Sequence, residues 1–248
     1  MKKIVALIIL AAFAISCSSD SSSSQSYSGV LVKKTIQDFT NGSPSVTTFY
    51  QYNGAKLVST TSDDMICKYY YTGNLITQEE IYFNDDLAYV LNFSYDNQNR
   101  LVQSRRETIG PGQIFRNVYH YNADNTISVD EYFIFETGSD EELSHAKFYM
   151  NSAGEIDKIE EYNGSSVQTT TFSYDQQNNP FKNILGMRQL LVPESGFDSN
   201  VTSIVYTGYP PETLNRSFQF TYNTDQYPVS MSRTIGTNQD ATMQYFYE

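Results

Sequence analysis

A tyrosine, a short turn rich in Asn, Asp and Gly, and then an apolar residue recur in that order seven times along this chain of 248 residues. The copies run Tyr52–Leu57, Tyr71–Leu75, Tyr95–Leu101, Tyr121–Ile127, Tyr149–Ile156, Tyr174–Phe181 and Tyr222–Val229. Asn, Asp and Gly accept the left-handed backbone that tight hairpin turns demand, so each copy reads as the tip of a β-hairpin. The flanking residues alternate: Leu91, Phe93 and Tyr95 are apolar while Asn92 and Ser94 are polar, and Phe218-Gln219-Phe220-Thr221-Tyr222 repeats the pattern. Period two marks strands with one packed and one wet face. The spacing therefore predicts an all-β fold, an antiparallel meander of about 14 strands curling into an open or a closed barrel.

The fixed position of Tyr52, Tyr71, Tyr95, Tyr121, Tyr149, Tyr174 and Tyr222 makes them structural repeat tyrosines in this reading. Their successive spacings are 19, 24, 26, 28, 25 and 48 residues, so the last interval holds an enlarged or overwritten unit. Within it, Phe181, Ile184, Leu185 and Leu191 stand at helical spacing, Pro180 suits a helix start and Pro193 follows the end. A single short helix near 181–191 is expected there, plugging an open end or the interior of the sheet.

The N-terminus carries an address. Lys2 and Lys3 precede an apolar run from Ile4 to Ile15, which is the length of a signal-peptide core and too short to span a bilayer. It ends at Ala14-Ile15-Ser16-Cys17, which resembles the lipobox of bacterial lipoproteins. That resemblance implies cleavage after residue 16 and acylation of Cys17, with Ile15 bulkier than the family's usual residue there. Ser18–Ser26 is a polar tether with nothing to bury, so residues 17–27 read as a disordered leash and residues 28–248 as one β-repeat domain.

Two further resemblances attach to the repeat. The Tyr-Asp/Asn-x-x-Asn-x-Leu units resemble the YD repeats of bacterial RHS-type surface proteins. The lipobox, these units, Asn179-Pro180-Phe181, Asn200-Val201-Thr202 and Tyr222–Pro228 together resemble an uncharacterised family of Bacteroidetes lipoproteins. That family is a domain of unknown function with a porin-like, many-stranded β fold. Over roughly residues 45–248 the resemblance implies architecture and an outer-membrane, lipid-anchored address, on the periplasmic or the cell-surface side, and carries no activity. Gln226 stands where the last motif would hold Gly.

Charge and composition exclude several roles. The formal net charge is −12, which repels nucleic acid and anionic headgroups. After cleavage Cys67 is the only unmodified cysteine, so no internal disulfide is available, and its apolar setting reads as a buried strand thiol. His120 and His145 lack partners at metal-ligand spacing, and no nucleophile elbow or phosphate-cradling loop is present, so no catalytic residue, metal or cofactor is implied. Adjacent carboxylates such as Glu79-Glu80 and Glu160-Glu161 point to opposite faces of a strand and cannot share a substrate. Asp63-Asp64, Asp85-Asp86 and Asp140-Glu141-Glu142 are expected in turns, and turn clusters such as Asp96–Asn99 and Asp124-Asn125 are calcium candidates without the EF-hand glycine.

The reading that follows is an anchored envelope protein that is not an enzyme. It would act as a binding or adhesion module for a glycan or an envelope protein, most of its tyrosines being core. The alternative is a carrier that holds an apolar molecule inside the barrel, and a glycan-active enzyme stands third. The interior decides between the first two: a packed aromatic interior leaves no carrier, whereas a cavity of several hundred Å³ supports one.

Overall fold

The computed structural model describes residues 29–110, 112–135, 137–208 and 215–248. The signal segment, Cys17 and the tether lie outside the described residues. Sixteen antiparallel strands follow one another as β1 (Val32–Phe39), β2 (Val46–Asn53), β3 (Lys56–Ser62), β4 (Met65–Thr72), β5 (Leu75–Phe83) and β6 (Asp86–Tyr95). Then come β7 (Leu101–Thr108), β8 (Ile114–Tyr121), β9 (Thr126–Ile134), β10 (Asp140–Met150), β11 (Ile156–Asn163) and β12 (Ser166–Tyr174). The last four are β13 (Val201–Thr207), β14 (Arg216–Tyr222), β15 (Pro228–Ile235) and β16 (Asn238–Tyr247). Each strand pairs with its sequence neighbours, and β1 pairs with β16, so the meander closes into a barrel. Closure removes both sheet edges.

The repeats are the hairpin tips at one end of this barrel. Asn99, Asn125 and Gly154 take positive φ of 60°, 62° and 78° in their turns, and Gln226 takes 63° where Gly was expected. In six of the seven hairpins the ladder slips by one residue beside the tip, at Tyr52, Tyr71, Tyr95, Met150, Tyr174 and Tyr222. A bulge there twists the strand and re-aims the side chain. Just past the tips, Leu57, Ile76, Leu101, Ile127, Ile156 and Val201 are buried at 4% exposure or less. The ring of apolar contacts thus uses Ile76 rather than Leu75, Pro228 rather than Val229, and Val201 rather than Phe181, which belongs to the long segment inserted after Tyr174.

The expected helix is absent. Residues 175–200 form an irregular plug whose only helical pieces are single 3-10 turns at Arg188–Leu190 and Pro193–Ser195. Its backbone is spent on the barrel: the Leu185 N–H donates to Ala55 O at 3.0 Å, not back along the segment. Gly186, at φ 79°, sits so near β5 that a Cβ would lie 2.8 Å from Ile76 N. Side chains do the rest. The Asn179 Nδ2 donates to Ser195 O at 2.6 Å, and its Oδ1 accepts from Phe181 N–H at 2.8 Å. Glu155, 1% exposed, accepts the N–H groups of Phe197, Asp198 and Ser199 at 2.8–3.0 Å. Ile184 packs on Leu31 and Leu57, and Phe197 on Ile156 and Val201.

The outer wall is polar at mid-strand. Lys158–Glu160, His145–Asp130 and Arg105–Glu107 pair there, next to the inward residues Ile159, Val129 and Ser104. A lipid-facing band requires apolar residues at those positions. Asp140-Glu141-Glu142 opens β10 rather than lying in a turn, with Asp140 bound to Arg116.

Candidate ligand-binding cavities

The repeat tyrosines divide by what their hydroxyls meet. Tyr52 donates to Val32 O at 2.8 Å, Tyr95 to Ile76 O at 2.7 Å and Tyr174 to Ile156 O at 2.5 Å. Tyr71 accepts from Leu57 N–H at 3.1 Å, and Tyr121 meets the Leu101 backbone in the same way. Tyr71, Tyr95, Tyr121 and Tyr174 each tie their hairpin to the residue just past the preceding tip, and Tyr52 ties its own to the start of β1. Burial pushes the Tyr71 and Tyr121 hydroxyls up to about 12. Tyr222 donates to the Asp175 carboxylate. Tyr247, which ends β16, completes the ring by donating to Pro228 O at 2.7 Å.

Tyr149 stands apart. Met150 takes the bulged inward position in that unit, and Tyr149 lies on the outer wall, donating to Glu160 Oε2 at 2.6 Å. Tyr162 shares the same oxygen at 2.7 Å, Lys158 bonds the other, and together they lower the Glu160 carboxyl to about 2, Lys158 most of all. Tyr70, Tyr82, Glu80 and Lys68 repeat this arrangement on β4 and β5. Cations also cover the rings: Lys158 lies 3.7 Å from the Tyr149 centroid, Lys68 4.3 Å from Tyr82 and Arg116 4.7 Å from Tyr132. Hydroxyls held by carboxylates and faces held by cations make these tyrosines a self-satisfied cross-strand ladder.

The two histidines converge although the sequence keeps them apart. His145 Nδ1 lies 2.5 Å from Asp130 Oδ1 and His120 Nε2 lies 3.5 Å from Asp130 Oδ2, on the outer wall. Strand register brings them together, and a single sequence does not print register. Among the described residues no group of three such side chains is placed to hold a metal ion. The Asp96 carboxylate is taken by the Gln98 and Arg100 N–H groups and the Arg100 guanidinium, and Asp124 by Thr126 and Lys147. Glu79 faces inward and Glu80 outward, as strand alternation requires.

Two cavities meet the plug. One, of about 340 Å³, lies inside the barrel between the wall of β2–β4 and the plug, lined by Tyr50, Leu57, Cys67, Tyr69, Phe181 and Met187 among others. Burial raises the Cys67 thiol and the Tyr69 hydroxyl, and both contact Glu79, whose carboxyl is itself raised by desolvation. The second, of about 440 Å³, lies at the hairpin-tip end between the plug and the tips of β6/β7 and β8/β9. Arg188 and Phe197 line both, with the guanidinium 5.6 Å from the ring centroid, so this pair is the partition between them.

Neither a protein-family model nor a curated protein matches this chain. Among solved structures, a porin-like protein from Bacteroides uniformis ATCC 8492, determined at 2.32 Å resolution, superposes with a TM-score of 0.55 at 12% identity. The match covers 88% of this chain and 98% of that one. At that identity the likeness is one of fold alone, that of a porin-like β-barrel.

Proposed function

We propose that this protein is a non-catalytic, lipid-anchored envelope barrel that holds a small apolar molecule inside its wall. The carrying observation is the interior cavity of about 340 Å³, lined mainly by aromatic, aliphatic and sulfur-bearing side chains and capped by the plug. Cavities of this size and lining are the usual form of small-molecule sites. The outer wall argues less well for adhesion, because its tyrosines spend their hydroxyls and ring faces on neighbouring side chains.

Anchoring through Cys17 gives the barrel an orientation. Leu31 and Glu248 meet at the hairpin-tip end, joined by the Glu248 N–H to Leu31 O bond of 3.1 Å. The leash from Cys17 therefore joins the barrel at its plugged end. Cys17→Ser releases the protein from membranes in this reading.

Gentle detergent extraction of the full chain, followed by native mass spectrometry and solvent extraction, tests the proposal. One apolar molecule per chain is the expected result. Protein that is empty after extraction, and remains so after exposure to total envelope lipid, contradicts it.

A further inference from the structure

We infer that the cavity of about 440 Å³ at the hairpin-tip end is a second binding site, which takes a unit of a neutral glycan. This proposal stands on a different cavity from the interior one and does not depend on it. Leu101, Ile127, Leu191 and the rings of Tyr121 and Phe197 supply the apolar lining, while Gln98, Asn99, Asn125 and Gln189 supply amides. A pyranose presents the complementary pattern: a C–H face that packs on apolar carbon, and hydroxyls that match an amide's paired donor and acceptor.

The amides are uncommitted. Among the described residues no side-chain bond engages Gln98, Asn99, Asn125 or Gln189, whereas Asn122, beside them, is bonded to Thr126 and Ser128 at 3.0 Å. Positive φ at Asn99 and Asn125 accounts for Asn at those two places. It does not account for Gln98 or for Gln189, which the plug brings from 91 residues further along the chain to the same cavity.

Charge selects a neutral ligand over an anionic one. Both arginines at the cavity are already neutralised. Arg100 is held by Asp96 through Nε at 2.8 Å and Nη2 at 2.7 Å, and Arg188 by Asp198 and, at 3.0 Å, Gly154 O. A formal net charge of −12 further repels acidic polymers.

Calorimetric titration of the full chain in detergent with maltotriose, cellotriose, mannotriose and chitotriose, beside trigalacturonate, tests the assignment. At least one neutral trisaccharide should bind, with affinity weakened tenfold or more by Gln189→Trp and by Gln98→Trp, which fill the cavity from opposite sides. Thr60→Phe, inside the barrel, should leave that binding unchanged. Melting curves of the variants separate a filled site from a damaged fold. Silence on all four neutral sugars at 10 mM overturns the proposal, as does binding that survives both tryptophan variants, or a preference for trigalacturonate.

Discussion

The Asn200 N–H donates to Asp175 Oδ1 at 3.0 Å while the Asp175 N–H donates to Asn200 O at 3.1 Å. Asp96 and Arg100 make the same pair of bonds, both at 3.0 Å, across a tight hairpin tip. Three residues, 97–99, lie between that pair, against twenty-four, 176–199, between Asp175 and Asn200. The plug is thus one hairpin tip grown long on an unchanged hydrogen-bonded base. Without the twenty-one extra residues the interval of 48 between Tyr174 and Tyr222 would be 27, in line with the others.

Replacing residues 176–199 by Asn-Gln-Asn should therefore leave a closed barrel. Its strands keep their pairing, but Leu57, Ile76 and Ile156 lose their cover. Exposing such side chains costs about 1.5–3 kcal/mol each, so a loss of roughly 4.5–9 kcal/mol is expected at most. The far-ultraviolet circular dichroism should stay that of a β protein while the denaturation midpoint falls. A variant that does not fold would mean that the plug is needed to form the wall.

Tyr95→Phe and Tyr149→Phe should separate the two kinds of tyrosine. The first leaves Ile76 O without its 2.7 Å donor and should cost about 1–3 kcal/mol. The second removes a bond on the exposed wall and should cost about 0.5 kcal/mol or less. Tyr95→Ala should cost about 2–4 kcal/mol. Equal denaturation midpoints for the two Phe variants would sink the distinction.

The repeat made the hairpins and the all-β class readable, because turn residues and period two are local signals. Sixteen strands rather than about 14 form, since β1 and β16 lie outside the seven tyrosine units and pair with each other. The helical spacing of Phe181, Ile184, Leu185 and Leu191 misled because those residues pack against several parts of one ring, and Leu185 N–H is claimed by Ala55 O. The cavities were illegible: Gln98 and Gln189, or Tyr50 and Phe181, meet only through closure of the barrel and folding-in of the plug.

Glu79 should make stability fall as pH rises. Desolvation raises its folded carboxyl above the unfolded value, against smaller lowering by hydrogen bonds from Tyr69 and Cys67. A group raised in the fold contributes its stability below the unfolded pKa and loses it as pH climbs through the folded one. Glu79→Gln should accordingly flatten the stability profile above pH 4.5 and melt higher than the parent at pH 7. A parallel profile for parent and variant would show that Glu79 is not the group responsible.

Gln226→Gly should stabilise, by about 1 kcal/mol or less. Gln226 holds φ at 63°, a conformation that costs an L-residue about 1–2 kcal/mol, part of which Gly returns as unfolded-chain entropy. Chemical denaturation gives the sign directly, and a destabilised variant would mean that the Gln side chain supports the tip.

Titration of N-phenyl-1-naphthylamine into the full chain, beside the Thr60→Phe variant, tests the interior site most directly. Thr60 lines the cavity of about 340 Å³ opposite the plug, and the extra ring removes much of that space. Saturable fluorescence enhancement at one probe per chain is expected in the parent, weakened at least tenfold in a Thr60→Phe protein of unchanged fold. Equal enhancement in both, or none in a parent first stripped of bound lipid, would contradict it.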